Sequence, residues 1–186
     1  MPRQARKRIA PDARRELIEK AAARLFAERG YGGTTLDDIA SDAHVTKPMV
    51  YRHFESKKAL YLALLARHRD DMPGFLEQAD LRAVLERWFA YVQERPHGWK
   101  MLFRDTTGDA EIQAYRLEVQ ATARALIAAM IEAQDDSRLP REEVEPLAEL
   151  LRTGLAGLAL WWMDHPKVKR SVLVEAAGRV LAGLRA

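Results

Sequence analysis

The sequence predicts an all-α fold, with a three-helix N-terminal module containing a helix-turn-helix and a larger C-terminal helical bundle. Three observations lead there. Apolar residues recur at helical spacing from Pro11 to the end, with no alternating run long enough for a strand. Proline, glycine and hydroxyl residues stand at the ends of those runs, where helices start and stop. Charge is also unevenly spread. Residues 1–70 hold 15 Lys/Arg against 9 Asp/Glu, whereas the remainder holds 15 against 18, although the whole chain carries only +3. A basic third attached to a mildly acidic remainder suits a phosphate-binding module joined to a sensing or assembly module.

Residues 1–9 carry Arg3, Arg6, Lys7 and Arg8 and almost nothing apolar. They read as a basic flexible arm, either tracking DNA or simply a solvated terminus. Pro11 opens a helix to about Arg29, with Leu17, Ile18, Ala21, Ala22, Leu25 and Phe26 as its stripe and Gly30 as its stop. Thr35 is placed to cap a second helix in a box with Asp38, and Leu36, Ile39, Ala40 and Ala43 follow on one face. Ala43-His44-Val45 makes the turn. Thr46 caps the next helix, whose first turn takes Lys47, Pro48 and Met49, with Pro48 where a missing N–H costs nothing. Val45, Val50 and Phe54 pack inward, leaving Lys47, Met49, Tyr51, Arg52 and His53 on a surface suited to phosphates and base edges.

Ser56 caps a helix that runs to Asp71, and Pro73-Gly74 breaks it. The rest reads as helices over Leu81–Arg95, Trp99–Asp105, Ala110–Ala133, Arg141–Asp164 and Val168–Leu184, with a turn from Gln134 to Pro140. Domain limits are set at 10–55 for the helix-turn-helix part and 56–186 for the bundle. Gly154 and Gly157 sit in a helix interior, where each costs about 1 kcal/mol relative to alanine, so close helix approach is expected there. Trp161 and Trp162 are adjacent and point about 100 degrees apart, so they serve different surfaces.

At Thr35, Ile39-Ala40, Ala43-His44-Val45-Thr46, Tyr51-Arg52-His53-Phe54 and Ser56-Lys57 the sequence resembles the TetR family of transcriptional regulators. The shared patterns are T-x-x-x-I-A, A-x-V-T/S and Y-x-H-F-x-S-K. Two positions depart from them. His44 stands where glycine is usual, at a place expected to need positive φ, and Met49 replaces a small or hydroxylated residue, so no base preference carries over. The resemblance implies duplex DNA as partner, with Thr35, Tyr51, His53 and Lys57 on the sugar-phosphate backbone. Behind Thr46, residues Lys47, Pro48, Met49 and Arg52 then approach base edges. It further implies a homodimer through the last two helices and a bundle that binds a small, largely apolar ligand. Phe89, Trp99, Phe103, Tyr115, Thr122 and Trp162 are the candidate lining, although aromatic side chains more often simply fill a core. The Ser56–Asp71 helix would be the lever between ligand and DNA.

Other chemistry finds little support. Cysteine is absent, no two histidines fall at i, i+4 on one helix face, and no glycine-rich phosphate loop or nucleophile elbow is present. No catalytic residue, metal ligand or cofactor is expected, and the chain is not read as an enzyme. No apolar run approaches the ~20 residues of a membrane span, and Met1 to Arg8 is not followed by a signal core, so a cytoplasmic location without membrane contact is expected. The expectation is a repressor released from its operator by its ligand. The alternative is a constitutive dimeric architectural protein without one.

Overall fold

A computed structural model describes residues 11–72, 80–104, 107–133 and 140–183. The expected basic arm, the Pro73-Gly74 break and most of the Gln134–Pro140 turn lie outside them. The described residues form nine α-helices: α1 (Pro11–Arg29), α2 (Leu36–Asp42), α3 (Lys47–His53), α4 (Lys57–Asp71), α5 (Leu81–Glu94), α6 (Pro96–Arg104), α7 (Ala110–Glu132), α8 (Arg141–Asp164) and α9 (Arg170–Gly183).

Local chemistry sets most of these limits. Gly30, at φ 72°, ends α1 and donates its N–H to Phe26 O at 2.9 Å. The Asp80 carboxylate caps α5 through Ala83 N, and that of Asp109 caps α7 through Glu111 N and Ile112 N. Two starts differ from expectation. α6 begins at Pro96 rather than Trp99, because proline supplies a preset φ for a first turn and needs no N–H there; Trp99 N then closes that turn on Arg95 O. α9 begins at Arg170, since residues 165–169 form turns instead, with Val168 N bonded to His165 O.

The largest apolar core joins α1, α2, α3 and α4 with Tyr91 of α5, Met101 and Leu102 of α6, and Ile112 and Val119 of α7. Phe26, Tyr31 and Tyr61 form its aromatic centre, with ring centroids 4.9–6.0 Å apart. Fully buried Phe26, Ile39 and Leu60 each contribute about 1.5–3 kcal/mol of transfer free energy. A second core at the far end takes Leu85, Phe89 and Val92 of α5, Trp99 of α6, Trp162 of α8 and Leu173 of α9, among others. α6 packs along α1 and also against α4, α5 and α8, and so touches both ends of the molecule. The α1 stripe is buried as expected except for Leu17, which is exposed.

α4 is tied down along its length. Ser56 Oγ accepts from Ala59 N at 3.0 Å, and Lys58 Nζ lies 3.0 Å from Asp109 and 2.9 Å from Glu111. Farther along, Arg67 reaches Glu19 of α1 at 2.9 Å, and Arg69 reaches Glu118 of α7 at 3.4 Å. Between them the buried His68 ring occupies the space a side chain at position 98 would need: a Cβ there would fall 1.6 Å from His68 Nε2. Gly98 is therefore the residue that lets α4 and α6 pack. His68 Nδ1 and the Tyr91 hydroxyl share a hydrogen bond, and Arg95 pairs with Asp71 at 2.8 Å.

Gly154 and Gly157 are exposed on α8, with nothing within 4 Å of either Cβ position. They allow no close approach among the described residues. They continue a stripe with exposed Leu150 and Trp161 at intervals of four, three and four residues, and Val172 and Val180 are exposed on α9. Trp162, in contrast, is buried and donates its indole N–H to Val168 O at 2.8 Å.

Candidate nucleic-acid interface

The helix-turn-helix is built from reciprocal caps and one strained residue. Thr35 Oγ1 accepts from Asp38 N at 3.1 Å, and the Asp38 carboxylate accepts from Thr35 N at 2.9 Å, completing the box that starts α2. Those contacts hold the Asp38 carboxyl below the usual carboxylate range, through the bonds from Thr35 first. In the turn, His44 adopts φ 53°, the left-handed conformation expected of it, while Val45 N bonds Ala40 O at 2.9 Å. Thr46 has the extended backbone of an N-cap, but its side chain makes no capping bond, and Pro48 lies in the first turn of α3. Val50 and Phe54 are buried and Val45 is partly buried against the same core.

That packing fixes what α3 shows to solvent. Thr46, Lys47, Pro48 and Arg52 are exposed, Tyr51 is 49% exposed, and Met49 and His53 are half-buried beside them. Thr35 is also exposed, at the start of α2. Lys47 Nζ pairs with Asp37 of α2 at 2.8 Å, which raises the lysine's pKa through the hydrogen bond first and the charge second. The His53 ring sits among Arg52, Arg15 and Arg14; burial first, then those cations, push its pKa below the ordinary imidazole value. Its Nε2 is buried with no hydrogen-bond partner. Arg15 also lies over the Phe54 ring, 4.8 Å from its centroid.

Lys57 is placed differently from the other candidates. Its ammonium donates to Tyr31 O at 2.8 Å and Thr34 O at 2.9 Å and lies over the Tyr31 ring, so two of its three N–H groups are engaged within the chain. It thereby fastens the start of α4 to the loop before α2. Two features escaped sequence reasoning here, the Asp37 partner of Lys47 and this tether. Each joins residues ten or more apart, at no helical spacing.

The candidate ligand residues divide. Phe89, Trp99, Phe103 and Trp162 join Trp88 in one chain of aromatic contacts in the far core. Tyr115 and Thr122 lie on α7 outside it: Tyr115 packs on the larger core beneath Arg69, and the Thr122 hydroxyl donates to Glu118 O at 3.0 Å. Among the described residues no group of three or more His, Asp or Glu is gathered as a metal site, and no helix is long and apolar enough to cross a membrane.

A pair of short helices, the first capped by the Thr35–Asp38 box and the second displaying cationic, aromatic and hydroxyl groups, defines a helix-turn-helix DNA-binding regulator. Residues 18–64 match the family of bacterial regulatory proteins, tetR family, and residues 78–181 match the tetracyclin repressor-like C-terminal domain. The chain belongs to the TetR family, whose members are DNA-binding regulators and not enzymes. It is 30% identical over 171 residues to the HTH-type transcriptional activator FasR of Mycolicibacterium smegmatis, covering 86% of this chain and 77% of that protein. A 37-residue stretch, 20% of each chain, is 57% identical to the biofilm operon icaADBC HTH-type negative transcriptional regulator IcaR of Staphylococcus aureus strain Newman. A tetR-family transcriptional regulator from Streptomyces coelicolor superposes with a TM-score of 0.71 at 26% identity, over 95% of this chain and 82% of that one. A TetR-like regulator from Rhodococcus sp. RHA1 gives 0.72 at 25%, over 95% and 100%.

Proposed function

We propose that the chain is a homodimeric, cytoplasmic, operator-binding regulator that leaves its DNA when a small, largely apolar ligand enters the C-terminal bundle. The exposed face of α3, held outward by buried Val50 and Phe54, is the observation that carries the DNA part. Arg52, exposed at the C-terminal end of α3, is the guanine reader, because a guanidinium matches the O6/N7 edge with two parallel bonds. Lys47, Pro48 and Met49 approach neighbouring bases. Thr35, Thr46, Tyr51, His53 and the remaining N–H of Lys57 position the backbone.

The test is Arg52→Ala against duplexes selected from a random pool. Selected duplexes should lose about 1–3 kcal/mol of affinity and their preference at one base pair per half-site, while random DNA loses less. Equal loss on both would move Arg52 to the phosphates.

A second reading of direction has its own support, since the FasR relative is an activator. A reporter placed behind a selected operator separates the two: expression rises on deleting a repressor and falls on deleting an activator. Binding that is indifferent to sequence, with no compound able to release it, would favour a constitutive architectural protein.

A further inference from the structure

Five rings run in sequence through the distal half of the molecule: Phe103, Trp99, Trp88, Phe89 and Trp162, with consecutive centroids 4.9, 5.4, 4.7 and 5.8 Å apart. They come from α5, α6 and α8. Packing alone would account for such a chain if each polar atom in it were satisfied, and at the Trp162 end it is, by Val168 O. Trp99 is different. Its side chain is only 6% exposed, and its indole Nε1–H is buried with no acceptor. Buried donors in folded proteins nearly always find a partner, in the chain, in water or in a ligand. The rings beside this one are also the loosest of the series: Trp88 and Phe103 are partly buried and pack against both the larger core and the distal core. Trp99 thus lies where the two cores meet, beside two rings that are packed on both and fully buried in neither.

We propose that the Trp99 Nε1–H is the polar anchor of a ligand site at this seam, and that the site takes a flat, uncharged molecule carrying one hydrogen-bond acceptor, such as an aryl ketone or ester. The donor is neutral and the five side chains carry no cation, so a carboxylate or phosphate placed there would lose its hydration without a compensating charge. A hydrocarbon would stack equally well but leave the N–H unsatisfied. The ligand's oxygen therefore selects, and the rings supply contact area. This inference rests on the ligand-responsive reading above, and adds to it the atom that recognises the ligand and the class of ligand recognised.

The test uses the full chain and two probes of matched shape, 2-acetylnaphthalene and 2-ethylnaphthalene, of which only the first has an acceptor. Both are titrated into wild type and Trp99→Phe, which keeps an aromatic ring and removes the N–H. The ketone should bind the wild type about five- to tenfold more tightly than it binds Trp99→Phe, as expected for one neutral hydrogen bond, whereas the hydrocarbon should change by less than about twofold. If Trp99→Phe does not fold, the indole ¹⁵N–H resonances of the wild type serve instead, with that of Trp99 assigned by elimination from spectra of Trp88→Phe, Trp161→Phe and Trp162→Phe. The ketone should then move the Trp99 resonance and the hydrocarbon should not. Equal weakening of both probes, a Trp99 resonance indifferent to the acceptor, or binding of neither probe would overturn the site. Release of a labelled duplex is followed in the same titrations, so the two readings fail separately. Trp99-dependent ketone binding without release keeps the site and removes the switch, and release that ignores the loss of the Trp99 N–H removes the site and keeps the switch.

Discussion

Lys47 shows how one side chain on the proposed DNA face is already occupied within the chain. Its ammonium sits 2.8 Å from Asp37, a contact between exposed groups that is worth little to stability but sets what a phosphate or base must displace. Asp37 also places a negative charge beside the surface proposed to meet a polyanion. Asp37→Asn is therefore expected to tighten binding to every duplex about threefold at low salt, and by less as salt rises and screens the lost repulsion. Filter binding or anisotropy at two salt concentrations checks this; unchanged or weakened binding at low salt would mean that Asp37 instead orients Lys47 for contact. His44 makes the complementary point about backbone. Its left-handed φ was legible from the motif, because a histidine stands where the pattern carries glycine, and the turn keeps that geometry at the expense of some strain.

Among the elements, α4 packs on α1, α6 and α7, and its tightest point is His68. Burial above all, helped by Arg95 and Arg67 and opposed by Asp71, pushes the imidazole pKa from 6.5 to about 4. Tyr91, whose own pKa burial raises, is the polar group facing it from α5. The folded chain thus binds a proton at His68 less readily than the unfolded chain does. Its stability is full above pH 6.5 and falls between pH 6.5 and about 4, by up to about 3 kcal/mol from this residue alone. Denaturant midpoints measured from pH 7 to pH 4 should show that decline in wild type and a shallower one in His68→Phe, and parallel declines would assign the acid sensitivity elsewhere. None of this was legible beforehand. The helices were, since caps, prolines and glycines act within a few residues, and where α6 starts early the signal at Pro96 was present but reads as a stop as readily as a start. The fit of His68 into the space at Gly98 joins positions thirty residues apart, and the orphaned N–H of Trp99 depends on what surrounds it, so neither leaves a local trace. The exposed face of α3 was readable for the opposite reason: Val50 and Phe54 face inward, and their spacing dictates which neighbours face out.

For the whole molecule, the proposed dimer rests on a stripe without internal purpose. Leu150, Gly154, Gly157 and Trp161 follow one face of α8, and among the described residues neither glycine lets anything come closer. Two glycines in a helix interior cost about 1 kcal/mol each relative to alanine, a cost that a second chain lying close against them can offset. Gly157→Glu should give a folded monomer by sedimentation, with thermal stability of the isolated chain undiminished, and operator binding should fall with dimerisation. A wild type that is monomeric at micromolar concentration, or a variant that stays dimeric, would place the interface elsewhere. A dimer so joined would set its two α3 helices into successive major grooves, with half-site centres about 34–36 Å or a multiple apart.

The larger core has a consequence for transplantation. Ile18, Phe26 and Ile39 of the DNA-reading end share one buried cluster with Tyr61 of α4, Met101 and Leu102 of α6, and Ile112 and Val119 of α7. Residues 11–55 are therefore not a detachable cassette. Cut free, they would expose the apolar surface that those later helices cover, and grafted onto another bundle they would meet side chains of the wrong shape at that surface. On the proposed reading of α3, exchanging its outward residues would move the operator preference of this chain to a relative, whereas exchanging the reading head entire requires α4, α6 and the first half of α7 to travel with it.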